Sequence, residues 1–151
     1  MINLPTVTLL GIDCVDFDRL ALAAKICTEN FNFAEVKLLS SLPTNQHKHA
    51  VHIEHLDSVE KYSEFVITKL NDYVETDHVL IFQYDGFILN PDAWTDEFLM
   101  YDYIGSPILI NDWAIRTFDL DPKTNGDWVV GNGGFCLRSK KLLSRLQSMD
   151  K

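Results

Sequence analysis

No stretch of this sequence approaches the roughly 20 uninterrupted apolar residues that a membrane-spanning helix requires, and the opening Met1-Ile2-Asn3-Leu4-Pro5 has neither a basic leader nor an apolar signal segment. A cytosolic (cytoplasmic) location is the expectation. Cysteine is scarce. Cys14, Cys27 and Cys136 are odd in number, share no short spacing and sit in apolar stretches, which argues for reduced thiols acting as small hydrophobes rather than for a disulfide framework or a thiolate metal site. Positive charge is in deficit too: 13 Lys and Arg against 22 Asp and Glu leave a formal net charge of -9 with no long basic run, a balance that repels nucleic acid. An anionic nucleotide stays compatible with it, because a divalent cation or a helix N-terminus supplies positive charge locally. There is no internal repeat, low-complexity tract or linker, and 151 residues with 46% hydrophobic content suit one globular domain, 1-151, with a full core.

What is present alternates between strand and helix. Val7 to Ile12 is a β-branched apolar run that ends at Asp13, and a helical pattern follows from about Asp16 to Glu29, with Leu20, Ala23, Ala24 and Cys27 three and four apart and Asp16 or Asp18 as N-cap. Glu35 to Leu39 reads as a second strand, Ala50 to Leu56 as an edge strand, and Ser58 to Val74 as an amphipathic helix striped by Tyr62, Phe65, Val66, Lys69, Leu70 and Tyr73. His78 to Leu89 is the most apolar segment and is expected as a central strand buried on both faces. A short helix over 93–100, a strand at Tyr103-Ile104-Gly105, a long surface loop over 107–127, and a glycine-rich approach to a strand and a closing helix capped by Ser139 complete the reading. This order predicts an α/β fold with an open, mostly parallel sheet flanked by helices, whose ligands sit beyond the carboxyl ends of the strands. Asp13 and Asp85 fall on that rim.

An aspartate where an apolar strand stops needs compensation for its charge, and a divalent cation shared with a diphosphate would provide it; a carboxylate capping the turn before Gly86 is the alternative. Gly131-Asn132-Gly133-Gly134 allows close backbone approach to a ligand. Trp113 and Trp128 either stack on sugar faces or pack in the core. His47, His49, His52 and His55 lack zinc-site spacing and read as solvated or core residues.

Three blocks occur in order: Phe82-Gln83-Tyr84-Asp85-Gly86-Phe87-Ile88-Leu89-Asn90-Pro91, then Tyr101-Asp102-Tyr103-Ile104-Gly105, then Val130-Gly131-Asn132-Gly133-Gly134-Phe135-Cys136-Leu137-Arg138-Ser139. Together they resemble a family of glycosyltransferase-like proteins catalogued mainly as a domain of unknown function. The resemblance implies a GT-A (Rossmann-like) fold, in which an acidic motif at a strand end holds Mn or Mg on the diphosphate of a nucleotide-diphosphate sugar donor. Carried over by position, Asp85 is the implied metal ligand, Gln83 stands where a first acid is common, and Asp13, Tyr62, Ser63, Asn132, Gly133 and Gly134 are the accompanying donor-binding positions. Where the family commonly has Arg after the Ser, this chain has Glu64, and Lys61 or Lys69 is the candidate for the missing charge. No acid closely follows Gly134, which leaves Asp102 and Asp127 as candidate catalytic bases, and the end at Lys151 suggests that an acceptor-binding part is absent. Assembly of a surface polysaccharide is the expectation by analogy; donor binding without transfer is the alternative. Tyr84-Asp85-Gly86 also resembles the Asp-x-Asp-Gly loop of haloacid-dehalogenase-like phosphatases, but Gln83 occupies the nucleophile position, which removes that reading.

Overall fold

The computed structural model describes residues 1–131 and 133–149. Strand β1 (Ile2–Ile12) runs parallel to β2 (Phe31–Ser40), which is joined to it by α1 (Phe17–Thr28), and β3 (Ala50–His52) lies parallel to β2 at the sheet edge. Helix α2 (Val59–Thr68) and a 3-10 turn (Leu70–Tyr73) then lead into β4 (His78–Phe82), which pairs in parallel with β1 on its other side. After β5 (Tyr103–Gly105) come β6 (Pro107–Leu109), α3 (Asp112–Phe118), β7 (Trp128–Val130), β8 (Cys136–Ser139) and α4 (Lys140–Met149). The six-stranded sheet has the order β3-β2-β1-β4-β8-β5, with β8 antiparallel to both neighbours, while β6 and β7 form a separate antiparallel pair. A mixed α/β fold with a mostly parallel sheet is therefore what the chain adopts.

Period-2 alternation on the buried strands feeds two cores. Leu9, Leu80 and Phe82 pack with Phe17, Leu20, Ala23, Ala24 and Cys27 on the α1 side, whereas Leu10, Val79 and Ile81 pack with Phe65, Val66, Leu70 and Leu143 on the α2 and α4 side. All three cysteines are free and buried within this packing. At Gly11 the helix and sheet leave no room for a side chain: a Cβ there would lie 2.6 Å from Leu20 Cδ1 and 2.6 Å from Phe82 Cζ. The helix starts follow from their caps. Asp16 accepts from the Asp18 and Arg19 amides, Ser58 from Lys61, and Ser139 Oγ from Leu142 at 3.0 Å.

Several boundaries depart from the sequence reading, each for a local reason. The first strand begins at Ile2 rather than Val7, and its register with β2 shifts between Leu4 and Thr8, around Pro5, which has no N–H to give the ladder. The central strand stops at Phe82 because Gln83 and Gly86 exchange backbone hydrogen bonds of 2.9 and 3.2 Å, closing a tight turn over Tyr84 and Asp85. The third strand ends at His52 and the second helix at Thr68. Residues 93–100 form 3-10 turns (Pro91–Ala93 and Asp96–Met100) separated by extended Trp94, instead of one helix. The region 107–127 is not a structureless loop: Asn111 caps α3 through the Ala114 amide at 2.9 Å, left-handed Asp119 ends it, and β6 pairs with β7. Its elements, β6 of 3 residues and α3 of 7, are too short to show a period in the sequence.

Candidate functional site

A cleft of about 760 Å³ opens beyond the carboxyl ends of β1 and β4. Asp13, Tyr62, Ser63, Gln83, Asp85, Gly133 and Gly134 all line it, brought from four stretches of chain: the end of β1, the first turns of α2, the turn after β4, and the approach to β8. Asn132, named with them from the sequence, lies outside the described residues.

Asp13 is the buried acid of this cleft, only 6% exposed. Its Oδ1 accepts from the Val15 amide at 2.8 Å and the Asp16 amide at 2.9 Å, its Oδ2 accepts from Arg19 Nε at 2.6 Å, and Arg19 Nη2 reaches Oδ1 at 3.2 Å. Burial alone would raise the Asp13 pKa, but hydrogen bonds from Arg19, Asp16 and Val15 outweigh it and hold the carboxyl below its usual range. Asp13 is thus a fixed counterion whose oxygens are already engaged. The Arg19 guanidinium in turn lies 3.7 Å from the centroid of the Tyr84 ring, so one side chain ties the start of α1 to the turn that carries Asp85.

Arg19 was missed in the sequence reading, although it carried a signal. An arginine three positions after the N-cap stands at the unfavourable end of the helix dipole, so its presence there calls for a tertiary partner. Lys61 and Lys69, the candidates for positive charge from the sequence, are committed elsewhere: Lys61 pairs with Asp57 at 2.9 Å and Lys69 with Glu54. Neither lines the cleft.

Asp85 is exposed, three residues beyond the last residue of β4, and has no hydrogen-bond or ion-pair partner among the described residues. The burial penalty that the sequence reading attached to it falls on Asp13 instead. The Tyr62 hydroxyl is buried without a well-formed hydrogen bond, beside the Gln83 side chain, and burial pushes its pKa up. Among the described residues no three His, Cys, Asp or Glu side chains converge as a metal-binding group. Asp13 is neutralised by Arg19 and Asp57 by Lys61, so Asp85 is the carboxylate on the cleft wall left without a counterion among the described residues.

The two candidate bases are not in this cleft. Asp102 accepts from Ser139 Oγ at 2.6 Å and pairs with Lys141 at 3.6 Å, beside His78 at the amino end of β4, which is the opposite end of the sheet. The Ser139 hydrogen bond, with Lys141 nearby, keeps its pKa low, which suits a structural anchor and not a base. Asp127 is exposed ahead of β7, with its amide on Thr124 O and its carbonyl accepting from Ile110, and does not line the cleft. Trp113 and Trp128 are 62% and 66% exposed on the α3 and β7 segment, neither in the core nor on the cleft.

These features define an α/β domain with a polar cleft at the carboxyl edge of a mostly parallel sheet. Residues 46–151 match the family model described as Protein of unknown function (DUF5672), and the chain belongs to that family. No curated protein and no solved structure matches it. No helix among the described residues is long and apolar enough to cross a membrane.

Proposed function

We propose that this chain is a glycosyltransferase-like domain of the GT-A type, which holds a nucleotide-diphosphate sugar in the cleft beyond β1 and β4. The observation that carries the reading is convergence: Tyr62 and Ser63, Gln83 and Asp85, and Gly133 and Gly134 are far apart in sequence and line one cleft. Its volume of about 760 Å³ falls within the range of small-molecule sites. The location, beyond the carboxyl ends of adjacent parallel strands, is where open α/β sheets take ligands.

The unpaired carboxylate bears on the cofactor. A diphosphate entering past the unpaired Asp85 needs a cation to offset the repulsion, and Asp85 is the carboxylate left free to ligate one. One carboxylate suits Mn or Mg that takes its other ligands from the diphosphate and water, with Gln83 alongside. Bound there, the cation would supply charge stabilisation for the leaving diphosphate. Asp13 and Arg19 fix the turn that presents Asp85, and Gly133 and Gly134 let backbone approach the ligand.

Calorimetric titration with UDP and GDP, with and without Mn²⁺, tests the reading. Metal-dependent binding that disappears in Asp85→Ala is the expected result; no binding under any condition sinks it. A second reading, donor binding without transfer, is favoured by the placement of Asp102 and Asp127 outside the cleft, which leaves acceptor deprotonation without an assigned base. It predicts the same titration but no sugar transfer to any acceptor, whether a surface polysaccharide or another glycan.

A further inference from the structure

We propose that a second cleft, between α1 and the His47-Lys48-His49 segment, binds a small phosphate-bearing compound. It has a volume of about 450 Å³ and is lined by Lys25 and Thr28 from α1, Val36 from β2, and His47, Lys48 and His49, together with alanine and leucine side chains of α1. No carboxylate lines it, in a chain whose net charge is -9. Lys25 and Lys48 have no ion-pair partner among the described residues, as is also true of Arg116, Lys123, Arg138, Lys140 and Arg145, but these two stand together on one cleft. Two ammonium groups and two imidazoles therefore share one concave surface over a floor of Ala21, Ala24 and Val36.

The segment is held in a defined conformation. Asn45 and Gln46 both take left-handed backbone angles, φ 48° and 58°, a region that Asn enters readily and Gln rarely. His47 N donates to Thr44 O at 2.9 Å, and Ala50 N to His47 O at 2.9 Å. The His47 ring meets the Phe17 ring edge-on at 5.5 Å, and its Nδ1 accepts from the His49 amide at 3.3 Å. With Nδ1 accepting, the neutral ring carries its proton on Nε2, which leaves that N–H as a donor. Thr28 contributes shape only, because its hydroxyl is spent on the Ala24 and Lys25 carbonyls. Burial, then Lys48 and His47, push the His49 pKa down, and a bound anion that offsets the Lys48 charge raises it.

This site does not rest on the donor reading, and the two can be tested apart. In metal-free buffer containing EDTA, inorganic pyrophosphate is titrated while the ring signals of the five histidines are followed by NMR, with His52 and His78 as internal references and His55, which lines the donor cleft, reporting any binding there. Saturable shifts at His47 and His49, with an upward move of the His49 pKa, are expected. Replacement of one ammonium near a multiply charged anion should weaken binding about tenfold in Lys25→Gln and in Lys48→Gln. Both lysines are exposed, so their replacement should leave the fold intact. Co-sedimentation with phosphatidic acid vesicles, lost in the double variant, would assign the phosphate to a lipid headgroup; pyrophosphate shifts without co-sedimentation would assign it to a soluble compound. Absence of both responses, or responses unchanged in the double variant, overturns the proposal.

Discussion

Gly11→Ala should destabilise the protein by about 2 kcal/mol, an overpacking cost of roughly 1–3 kcal/mol offset in part by the entropy that Ala removes from the unfolded chain. The added methyl would lie 2.6 Å from Leu20 Cδ1 and 2.6 Å from Phe82 Cζ, well inside van der Waals contact. Neither neighbour has room to yield, since Leu20 and Phe82 are both fully buried. Nor can β1 slide away, because Gly11 is paired in register with Leu38 on one side and Phe82 on the other. Urea unfolding followed by circular dichroism measures the effect, and a fall in melting temperature of about 4–8 °C should accompany it. The decisive form is a double-mutant cycle with Leu20→Ala. Removing the Leu20 side chain costs stability in the wild-type background but makes space for the methyl introduced by Gly11→Ala, so the two losses should fall short of additivity by about 1 kcal/mol. Strict additivity, or a single variant within about 0.5 kcal/mol of wild type, would refute the close-packing argument. Gly11 precedes Asp13 by two residues, so the variant should also weaken any nucleotide binding by shifting the Asp13–Arg19–Tyr84 contact.

The remaining predictions concern the cleft. Because the folded-state pKa of Asp13 is depressed, its ionisation stabilises the fold above the unfolded value near pH 4 and that contribution is lost as pH falls through the lower folded value; Asp13→Asn should flatten the acid limb of the stability curve below about pH 4, and an unchanged limb counts against the Arg19 pairing. Tyr62→Phe should be neutral or stabilising by up to about 1 kcal/mol, since it removes a buried hydroxyl with no well-formed hydrogen bond; a loss of more than about 1 kcal/mol in chemical denaturation would show that the hydroxyl is satisfied. Mn²⁺ alone should bind weakly, with affinity that rises when UDP is present, because Asp85 is the lone free carboxylate on the cleft among the described residues; tight Mn²⁺ binding without nucleotide, read from the paramagnetic signal, would contradict that ligand count.

The site was legible wherever it depended on strand ends. Hydrophobic runs marked β1 and β4, and the rule that ligands gather beyond their carboxyl ends put Asp13 and Asp85 on one rim, whereas Gln83 was named only through the family resemblance. What the pattern could not show was how charges are paired. Which of Arg19, Lys61 and Lys69 serves the cleft depends on helix rotation and loop paths, and the fold turns Lys61 and Lys69 towards Asp57 and Glu54 while swinging Arg19 onto Asp13. Asp102 lies away from the cleft for the same kind of reason, since the antiparallel run of β8 sets its partner Ser139 at the amino end of β4.

Local forces read in sequence thus determined the alternation of strand and helix, a cap at Asp16 or Asp18 and one at Ser139, the two-faced burial of β4 and the burial of all three cysteines. They could do so because periodicity and capping act over a few residues. Tertiary structure alone decided the insertion of antiparallel β8 between β4 and β5, the folding of residues 107–127 around α3, the exchange of burial between Asp13 and Asp85, and the gathering of Lys25 with Lys48. Each of these rests on contacts between residues far apart in the chain, whose energies depend on distance in space and leave no periodic trace in the sequence.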